Sequence, residues 1–350
     1  MEYIRLSEID LRSNIKNRVF ITFLARDVSV RLQKDQVTKF ISLNMVDKDF
    51  IVEAKIFGAS DKVIELVQEG KVYNAAVDIK PYDKSPHGYS CIIYNMDFST
   101  ESPESFVDWA DNLDECQKVI TNILPDIIHT YYGQIAYPIL YDNWERFARW
   151  TAATNQHHTR LGELLVHTSE VISICNDLAD YFNSIYGDDF INKPLVISAA
   201  LLHDICKVKE LSVNTSSGKV EYSIHSSLST HIMDVLSEVD IQAYKLNLGR
   251  QVTEINEVSE EEGTKSPEQI AEEIEAIDLL KHCLAAHHGK LEYGSPILPC
   301  TPEAVLVNIA DNLSADMYRY NKTFKDMDPG TVNSVWTNAG YKNTYKESSK

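Results

Sequence analysis

Short runs of alternating apolar and polar residues fill the first 100 positions of the chain. A short helical pattern, residues 61–70, lies between the third and fourth of these runs and ends at Gly70. The runs are rich in β-branched and aromatic residues, and they begin at Arg18, Phe40, Phe50, Val72 and Tyr89. Five strands with one helix in this position predict an OB-fold β-barrel. The alternative is another small barrel that serves only in assembly.

The pattern becomes helical after a polar stretch at residues 100–109. Apolar residues recur at helical spacing over Val107–Leu124 and again from Leu161 to Leu178. Residues 195–203 are apolar enough to form a buried helix. The predicted divisions of the chain are a lead (1–14), the barrel (15–99), a linker (100–109), an all-α domain (110–325) and a polar tail (326–350).

A further helix start stands inside a strongly acidic stretch, residues 254–275. Ser266 is a suitable N-cap, Pro267 suits the first helical position, and Gln269 can complete a capping box. We expect this helix to end at Gly289, because glycine readily adopts the left-handed conformation that stops a helix.

Charge is distributed unevenly. The chain of 350 residues has a formal net charge of −19; residues 15–100 carry 12 Lys and Arg against 11 Asp and Glu, whereas residues 101–350 carry 19 against 38. Such a chain would bind a phosphate backbone weakly unless divalent cations reverse the charge locally. We see no signal-peptide pattern, no membrane-length apolar run and no paired cysteine spacing, so we expect a cytoplasmic protein without membrane contact.

Histidine and aspartate residues interrupt apolar segments at several separate places. His203 and Asp204 end one apolar run, His287 and His288 follow a second, and Asp311 follows a third. A buried carboxylate is costly without a cation partner, and imidazole and carboxylate suit divalent ions such as Mn, Fe, Co, Ni or Zn. Each residue alone is more often an ordinary core or capping residue, but together they indicate one shared ligand.

The set predicts a centre that holds two divalent metal ions. A carboxylate has two oxygens, so Asp204 can bridge both ions. We expect one ion to be bound by His167, His203, Asp204 and Asp311, and the other by Asp204, His231, His287 and His288. Manganese is our first expectation, with Fe, Co, Ni, Mg and Zn as alternatives.

Several segments of the helical half follow one another in a recognisable order. Leu201-Leu-His-Asp-Ile-Cys-Lys207 resembles the HD-superfamily signature, with Cys206 where glycine is usual. Residues 161–168, residues 285–296 (AAHHGKLEYGSP) and residues 301–313 resemble segments of the YhaM-type exoribonucleases. That family joins an OB-fold to an HD domain and degrades RNA, and some DNA, from the 3′ end.

The resemblance implies metal-assisted hydrolysis centred on Asp204. Lys207 would neutralise a phosphate or brace Asp204, and the alternative is a surface lysine at a helix end. His158 would contact the phosphate or protonate the leaving group, and it could equally be structural. His231 matches a His-Ile position of the family, but His225 lies close by and remains a competitor as the ligand.

The barrel would guide the strand, because OB-folds bind single strands through basic contacts and aromatic stacking. The candidate residues are Arg26, Arg31, Lys39, Phe40, Lys55, Phe57 and Tyr82, although most aromatic residues of a small barrel fill its core. We therefore expect a metal-dependent 3′-5′ exonuclease of single-stranded RNA or DNA, with self-association left open. The alternatives are an HD phosphohydrolase of a small nucleotide (a dNTP, cyclic nucleotide or alarmone) and a non-enzymatic OB-fold binding protein.

Overall fold

A computed structural model describes residues 2–84, 88–153, 160–215, 217–251, 265–327, 333–334 and 344–345. The chain divides into two compact units. The first comprises residues 1–109 and 213–220, and the second comprises residues 110–212 and 221–350. Among the described residues, no helix combines the length and the apolar character needed to cross a bilayer.

The first unit is a closed β-barrel. Its strands are β1 (Ile4–Arg5), β2 (Arg18–Leu32), β3 (Lys39–Asp47), β4 (Phe50–Phe57), β5 (Val72–Pro81) and β6 (Tyr89–Phe98). The sheet order is β1-β2-β3-β4-β6-β5, and an additional pairing of β2 with β5 closes the barrel. Strands β2 to β6 therefore have the arrangement of an OB-fold, and the predicted fold is confirmed.

The barrel core consists of alternate strand residues, and its helix is shorter than predicted. Helix α1 (Asp61–Leu66) begins at the N-cap Ser60 and ends four residues before Gly70. The fully buried Tyr73 fixes this end: its hydroxyl donates to the Leu66 carbonyl at 2.7 Å and accepts from the Gln68 amide at 2.8 Å. The chain after Leu66 is thus held in an extended conformation rather than a further helical turn.

Residues 2–14 belong to the same compact unit as the barrel. Leu6 and Leu11 are buried in its core, and the wholly buried Asp47 accepts hydrogen bonds from Arg5 at 2.7 Å and from the Ser7 hydroxyl at 2.6 Å. Burial alone would raise the pKa of Asp47, but the hydrogen bonds from Arg5 and Ser7 outweigh it and lower that pKa. The segment predicted as a lead is therefore part of the barrel unit.

The second unit is mainly helical. Its helices are α2 (Leu113–Ile127), α3 (Tyr131–Phe147), α4 (Glu163–Tyr186), α5 (Lys193–Leu202), α6 (Lys207–Glu210), α7 (His231–Lys245), α8 (Pro267–Ala286) and α9 (Pro302–Asp326). The helical pattern expected over Val107–Leu124 begins later, because Asn112 precedes α2 in a left-handed conformation with φ of 59°. The capping box of α8 is present as predicted, with both hydrogen bonds between Ser266 and Gln269.

Strands also occur within the range predicted as all-α. Strands β7 (Leu211–Asn214) and β8 (Lys219–Tyr222) form a hairpin there. In the predicted polar tail, the two-residue strands β9 (Asn333–Ser334) and β10 (Thr344–Tyr345) pair with each other. The β7–β8 turn includes Gly218 at φ of 65°, a conformation that suits glycine. The run between α6 and α7 was too short and polar to be recognised as strands.

Candidate metal centre

The His203-Asp204 pair lies at the buried C-terminal end of helix α5. Residues 195–202 of α5 are all buried, and His203 caps its end with almost no exposed surface. Asp204 follows in a turn and is also buried, with 2% of its surface exposed. An ionised carboxylate at such a place is unfavourable unless cationic partners surround it.

Two other helices bring an imidazole and a carboxylate to the same place. His167 on α4 has its Nε2 atom 3.2 Å from Nε2 of His203 and 3.5 Å from Oδ2 of Asp204. The same Nε2 atom lies 3.2 Å from Oδ1 of Asp311 on α9. We call His167, His203 and Asp311 the inner group; with Asp204 they are the four residues predicted for the first ion.

The remaining predicted ligands form a second cluster, which we call the outer group: His231, His287 and His288. His231 begins α7, and the two adjacent histidines directly follow the last residue of α8. The ring centroids of His287 and His288 lie 4.3 Å apart, and those of His231 and His288 lie 5.2 Å apart. Ligand atoms of all three lie within 4.8 Å of one another.

Asp204 faces both groups with different oxygens. Its Oδ2 atom lies 3.5 Å from Nε2 of His167 and 3.5 Å from Nε2 of His203. Its Oδ1 atom lies 3.5 Å from Nε2 of His231 and 3.8 Å from Nε2 of His287. This is the arrangement that a carboxylate shared by two cations requires.

All five imidazoles are held by their Nδ1 atoms, so their Nε2 atoms face one another. The Nδ1–H of His203 donates to the Ala200 carbonyl at 2.8 Å, and that of His287 donates to the Leu284 carbonyl at 2.7 Å. The other acceptors are the Ser314 hydroxyl for His167, the Glu210 carboxylate for His231 and the Tyr293 carbonyl for His288. Such hydrogen bonds fix the tautomer and orientation of metal-ligating histidines.

Several inward atoms are buried without a hydrogen-bond partner: Oδ1 of Asp204 and Nε2 of His231 and His287. Burial lowers the pKa of His203, His287 and His288 and so favours neutral rings. Burial would raise the pKa of Asp204, but Lys207 and the imidazoles outweigh it and hold that pKa well below its usual range. Lone pairs converging on one place fit divalent cations.

Lys207 contacts the centre rather than lying at the surface. Its ammonium is 2.6 Å from Oδ2 of Asp204. Burial alone would lower the pKa of Lys207, but the charge of Asp204 raises it, so the side chain stays protonated. Lys207 was expected to neutralise a phosphate, to brace Asp204 or to lie at the surface. The direct contact with Asp204 supports the second of these roles.

A cavity of about 310 Å³ opens onto the outer group. His231, His288 and Asp311 line it together with the cations Lys207 and Arg319. The Glu210 carboxylate and the polar side chains of Tyr222, Tyr293 and Asn312 also line it. The lining thus holds two cationic and two anionic side chains, so divalent cations bound beside the imidazoles would be needed to make it attractive to a negatively charged ligand.

Two of the histidines discussed from the sequence lie elsewhere or cannot be placed. His225 is 43% exposed in its side chain and pairs with Asp234 through Nε2 at 2.7 Å, apart from both groups. His231, the competing candidate, is the one within the outer group. His158 lies outside the described residues, as does most of the acidic segment at residues 254–275.

Four of the predicted nucleic-acid residues share one outward face of the barrel. The strand register places Arg31 beside Phe40 and Phe40 beside Phe57, while Lys55 lies two residues before Phe57. The Phe40 and Phe57 rings stack with centroids 5.8 Å apart, and half of the Phe57 surface is exposed. Phe57 is thus on the surface rather than in the core.

The other three barrel candidates are placed differently. Arg26 lies opposite Asn44 in the β2–β3 register and contacts Asp27 at 3.5 Å. Tyr82 is exposed and shares a cavity of about 410 Å³ with Lys55. Lys39 has the opposite strand parity to Phe40 and pairs with Asp61 at 2.9 Å, so it does not join the outward row.

Sequence reasoning missed the residues that hold the ligands. The Ser314 hydroxyl accepts from His167 and donates to Glu170 at 2.6 Å. Glu210 accepts from both the ring and the backbone amide of His231. Spacing gave no signal for Ser314, whereas an acidic residue at the end of α6 could have been considered for Glu210.

Comparisons with known proteins find similarity over the part of the chain that contains this site. The model of the HD domain matches residues 164–316. The chain is similar to the "3′-5′ exoribonuclease YhaM" of Bacillus pumilus (strain SAFR-032), at 25% identity over 88% of this chain and 90% of that protein. It is similar to the protein of that name from Listeria innocua serovar 6a, at 26% identity over 88% of each chain.

A solved structure, the aspartyl tRNA synthetase from Entamoeba histolytica, covers 55% of this chain and 38% of its own, at 12% identity with a TM-score of 0.23. A likeness this low carries no argument.

Residues 164–316 therefore form an HD domain, a type that binds divalent metals, and the protein is a metal-dependent hydrolase. Over most of its length the chain is homologous to the YhaM 3′-5′ exoribonucleases, at about 25% identity. An HD hydrolase domain argues against the non-enzymatic alternative.

Proposed function

We propose that this protein is a 3′-5′ exoribonuclease that shortens single-stranded RNA at a centre of two divalent cations. The observation that carries the proposal is Asp204, whose two oxygens face two separate groups of inward Nε2 atoms. A single cation would leave one of these groups without a partner. The homology to enzymes named 3′-5′ exoribonucleases supports the direction and the substrate.

The inner group with Asp204 would hold one cation and the outer group with Asp204 the other. When bound, two such cations supply Lewis acidity and lower the pKa of water toward neutrality. Manganese is the first candidate, and Fe, Co, Ni, Mg and Zn suit the same donors. Lys207 keeps Asp204 ionised through the 2.6 Å contact, and Arg319 offers a second cation to a phosphate in the cavity.

The outward face of the barrel would hold the strand upstream of the bond that is cut. Phe57 presents an exposed ring, and Arg31 and Lys55 provide cations on the same face. Base stacking combined with backbone contacts suits a single strand of any sequence. Single-stranded DNA offers the same bases and phosphates, so it is a second substrate to compare.

The test uses metal-stripped protein and a single-stranded RNA labelled at its 5′ end. On addition of Mn²⁺ we expect a ladder of products shortened from the 3′ end, and no ladder from Asp204→Asn. The control variant Asp142→Asn changes an exposed aspartate of α3 and should match the wild type. Full activity of the stripped protein would contradict the metal centre.

A substrate panel separates the proposal from the nearest alternative. The cavity of about 310 Å³ has a size that would suit a free nucleotide as well as the end of a strand. Hydrolysis of dNTPs, cyclic nucleotides or alarmones without any shortening of RNA or DNA would contradict the exonuclease and favour a small-nucleotide phosphohydrolase.

A further inference from the structure

Tyr293 is an exposed aromatic residue beside the clustered histidines. It lines the cavity of about 310 Å³ and keeps 58% of its surface exposed. Its backbone carbonyl accepts the hydrogen bond from Nδ1 of His288 at 2.9 Å. One residue therefore fixes the orientation of an outer-group imidazole through its backbone and presents a ring at the same cavity.

The turn that carries Tyr293 is firmly anchored on both sides. Before it, Gly289 adopts φ of 74°, and a Cβ there would lie 2.4 Å from the Asn308 side chain. Asn308 itself donates to the His287 carbonyl at 2.7 Å. After it, Ser295 is buried and its amide donates to the Lys290 carbonyl at 3.2 Å. An aromatic ring on such a turn costs little entropy to use in binding.

The ring is already engaged on one side by a cation. The Lys290 ammonium lies 4.8 Å from the centre of the Tyr293 ring, an arrangement that favours a fixed ring orientation. The rest of the exposed ring surface remains available to a ligand. Apolar exposure of this kind beside Lys207 and Arg319 suits a ligand with both a flat ring and a phosphate.

The small cavity limits how much of a strand can enter. A volume of about 310 Å³ is at the low end of the roughly 300–1,000 Å³ typical of ligand pockets. A terminal nucleotide with its phosphate fits this limit better than several stacked nucleotides. The end of the strand, rather than its middle, is therefore the part for which the cavity is suited.

We infer that Tyr293 is a substrate-binding residue that stacks on the base of the terminal nucleotide and so sets the phosphate beside the outer group. This inference rests on the proposed exonuclease function and names the part of the substrate that this side chain contacts. It predicts that the enzyme distinguishes a strand ending in a normal nucleotide from one ending in an abasic nucleotide.

The experiment measures kcat/KM of the Mn²⁺-loaded enzyme on two substrates. One is an RNA with a normal 3′ nucleotide, and the other is the same RNA with an abasic 3′ nucleotide. Tyr293→Ala should lower kcat/KM roughly 5- to 150-fold on the normal strand, the range that base stacking supplies. On the abasic strand the loss should be much smaller. Tyr293→Phe should resemble the wild type, and Tyr293→Leu should resemble Tyr293→Ala.

The controls make the outcomes distinguishable. Tyr141→Ala removes a tyrosine of α3 that is 71% exposed and outside the cavity lining, so it should not change either rate. If the wild type shortens RNA but Tyr293→Ala loses the same factor on both strands, or Tyr293→Leu matches the wild type, stacking is overturned while the exonuclease stands. If the wild type shortens neither strand, the exonuclease itself is overturned and the inference falls with it.

Discussion

The two halves of the candidate metal centre differ in how they are supported. The two histidines of the inner group lie inside the helical core, with 1% of His167 and 0% of His203 exposed, whereas its Asp311 reaches the cavity. Their Nδ1 atoms bond to groups within the packed helices, the Ser314 hydroxyl and the Ala200 carbonyl. In the outer group, His287 is also buried and bonds to the Leu284 carbonyl. His231 and His288, however, line the cavity and depend on Glu210 and on the Tyr293 carbonyl.

Under the proposed function, this difference gives the two cations different roles. Because buried ligands on packed helices are preorganised, the inner group would hold its cation more tightly. Because the outer group borders the cavity, its cation would exchange faster and lie nearer the substrate phosphate. Asp204 contacts both groups, so the strongest test of the comparison is to remove the residue that they share.

Removal of Asp204 should have the largest effect. Asp204→Asn takes away the charge that both groups share and leaves Lys207 without the anionic partner that lies 2.6 Å from its ammonium. We expect a loss of activity of roughly a thousandfold or more, because metal-assisted hydrolysis depends on the bound cations. Mn²⁺ binding measured by calorimetry should fall at the same time, with Asp142→Asn as the matched control. Unchanged Mn²⁺ affinity in Asp204→Asn would show that Asp204 does not bind the cations.

Single histidine variants should separate the two halves. His203→Ala should lose the tighter Mn²⁺ ion, whereas His288→Ala should keep it and lose only the weaker one. Titration of metal-stripped protein with Mn²⁺ measures both affinities, and circular dichroism checks that each variant folds. Equal loss of both ions in the two variants would show that the halves are not distinct.

Variants of the supporting residues should have smaller effects of the same kind. Ser314→Ala removes the acceptor of His167, and Glu210→Gln weakens the acceptor of His231. Loss of such supporting groups typically costs about 10- to 100-fold in metal affinity. We expect Ser314→Ala to weaken the tighter site and Glu210→Gln the weaker one. If Mn²⁺ titrations showed that Ser314→Ala weakens the weaker site and Glu210→Gln the tighter one, the inner group would not be the tighter site.

The barrel variant should have the smallest effect on chemistry. Phe57→Ala should raise KM for a long single strand by about 5- to 50-fold through lost stacking, with little change in kcat or in the rate on a dinucleotide. Val30→Ala is a matched control, because Val30 is 47% exposed and has the opposite parity to Arg31 on β2. A fall in dinucleotide rate with Phe57→Ala would contradict a role limited to holding the strand.

Local patterns predicted much of the fold. The β-rich runs predicted the OB barrel because strand residues alternate between core and solvent, and the Ser266–Gln269 capping box marked the start of α8 because its hydrogen bonds are local. The first run of strand residues in the sequence ends at Leu24, but β2 extends to Leu32: the strand continues past a bulge between Arg26 and Ser29, with Asp27 at φ of 56°. A bulge of this kind depends on the partner strand.

The candidate ligands were predictable for a different reason. Asp204 and Asp311 interrupt or follow apolar runs, where an isolated carboxylate is costly, so their chemistry is visible in the sequence. Ser314 lies 147 positions from His167 and 144 positions from Glu170, the two residues to which it bonds. Neither Ser314 nor Glu170 is unusual in its local context. Their roles depend on the packing of α4 against α9, which local patterns do not contain.

Electron paramagnetic resonance of the Mn²⁺-loaded protein tests the shared centre most directly. With two equivalents of Mn²⁺, the wild type should give the spectrum of an exchange-coupled pair, and Asp204→Asn should lose that coupling. Two independent Mn²⁺ signals, or one bound ion at saturation in the wild type, would contradict a centre in which Asp204 bridges the inner and outer groups.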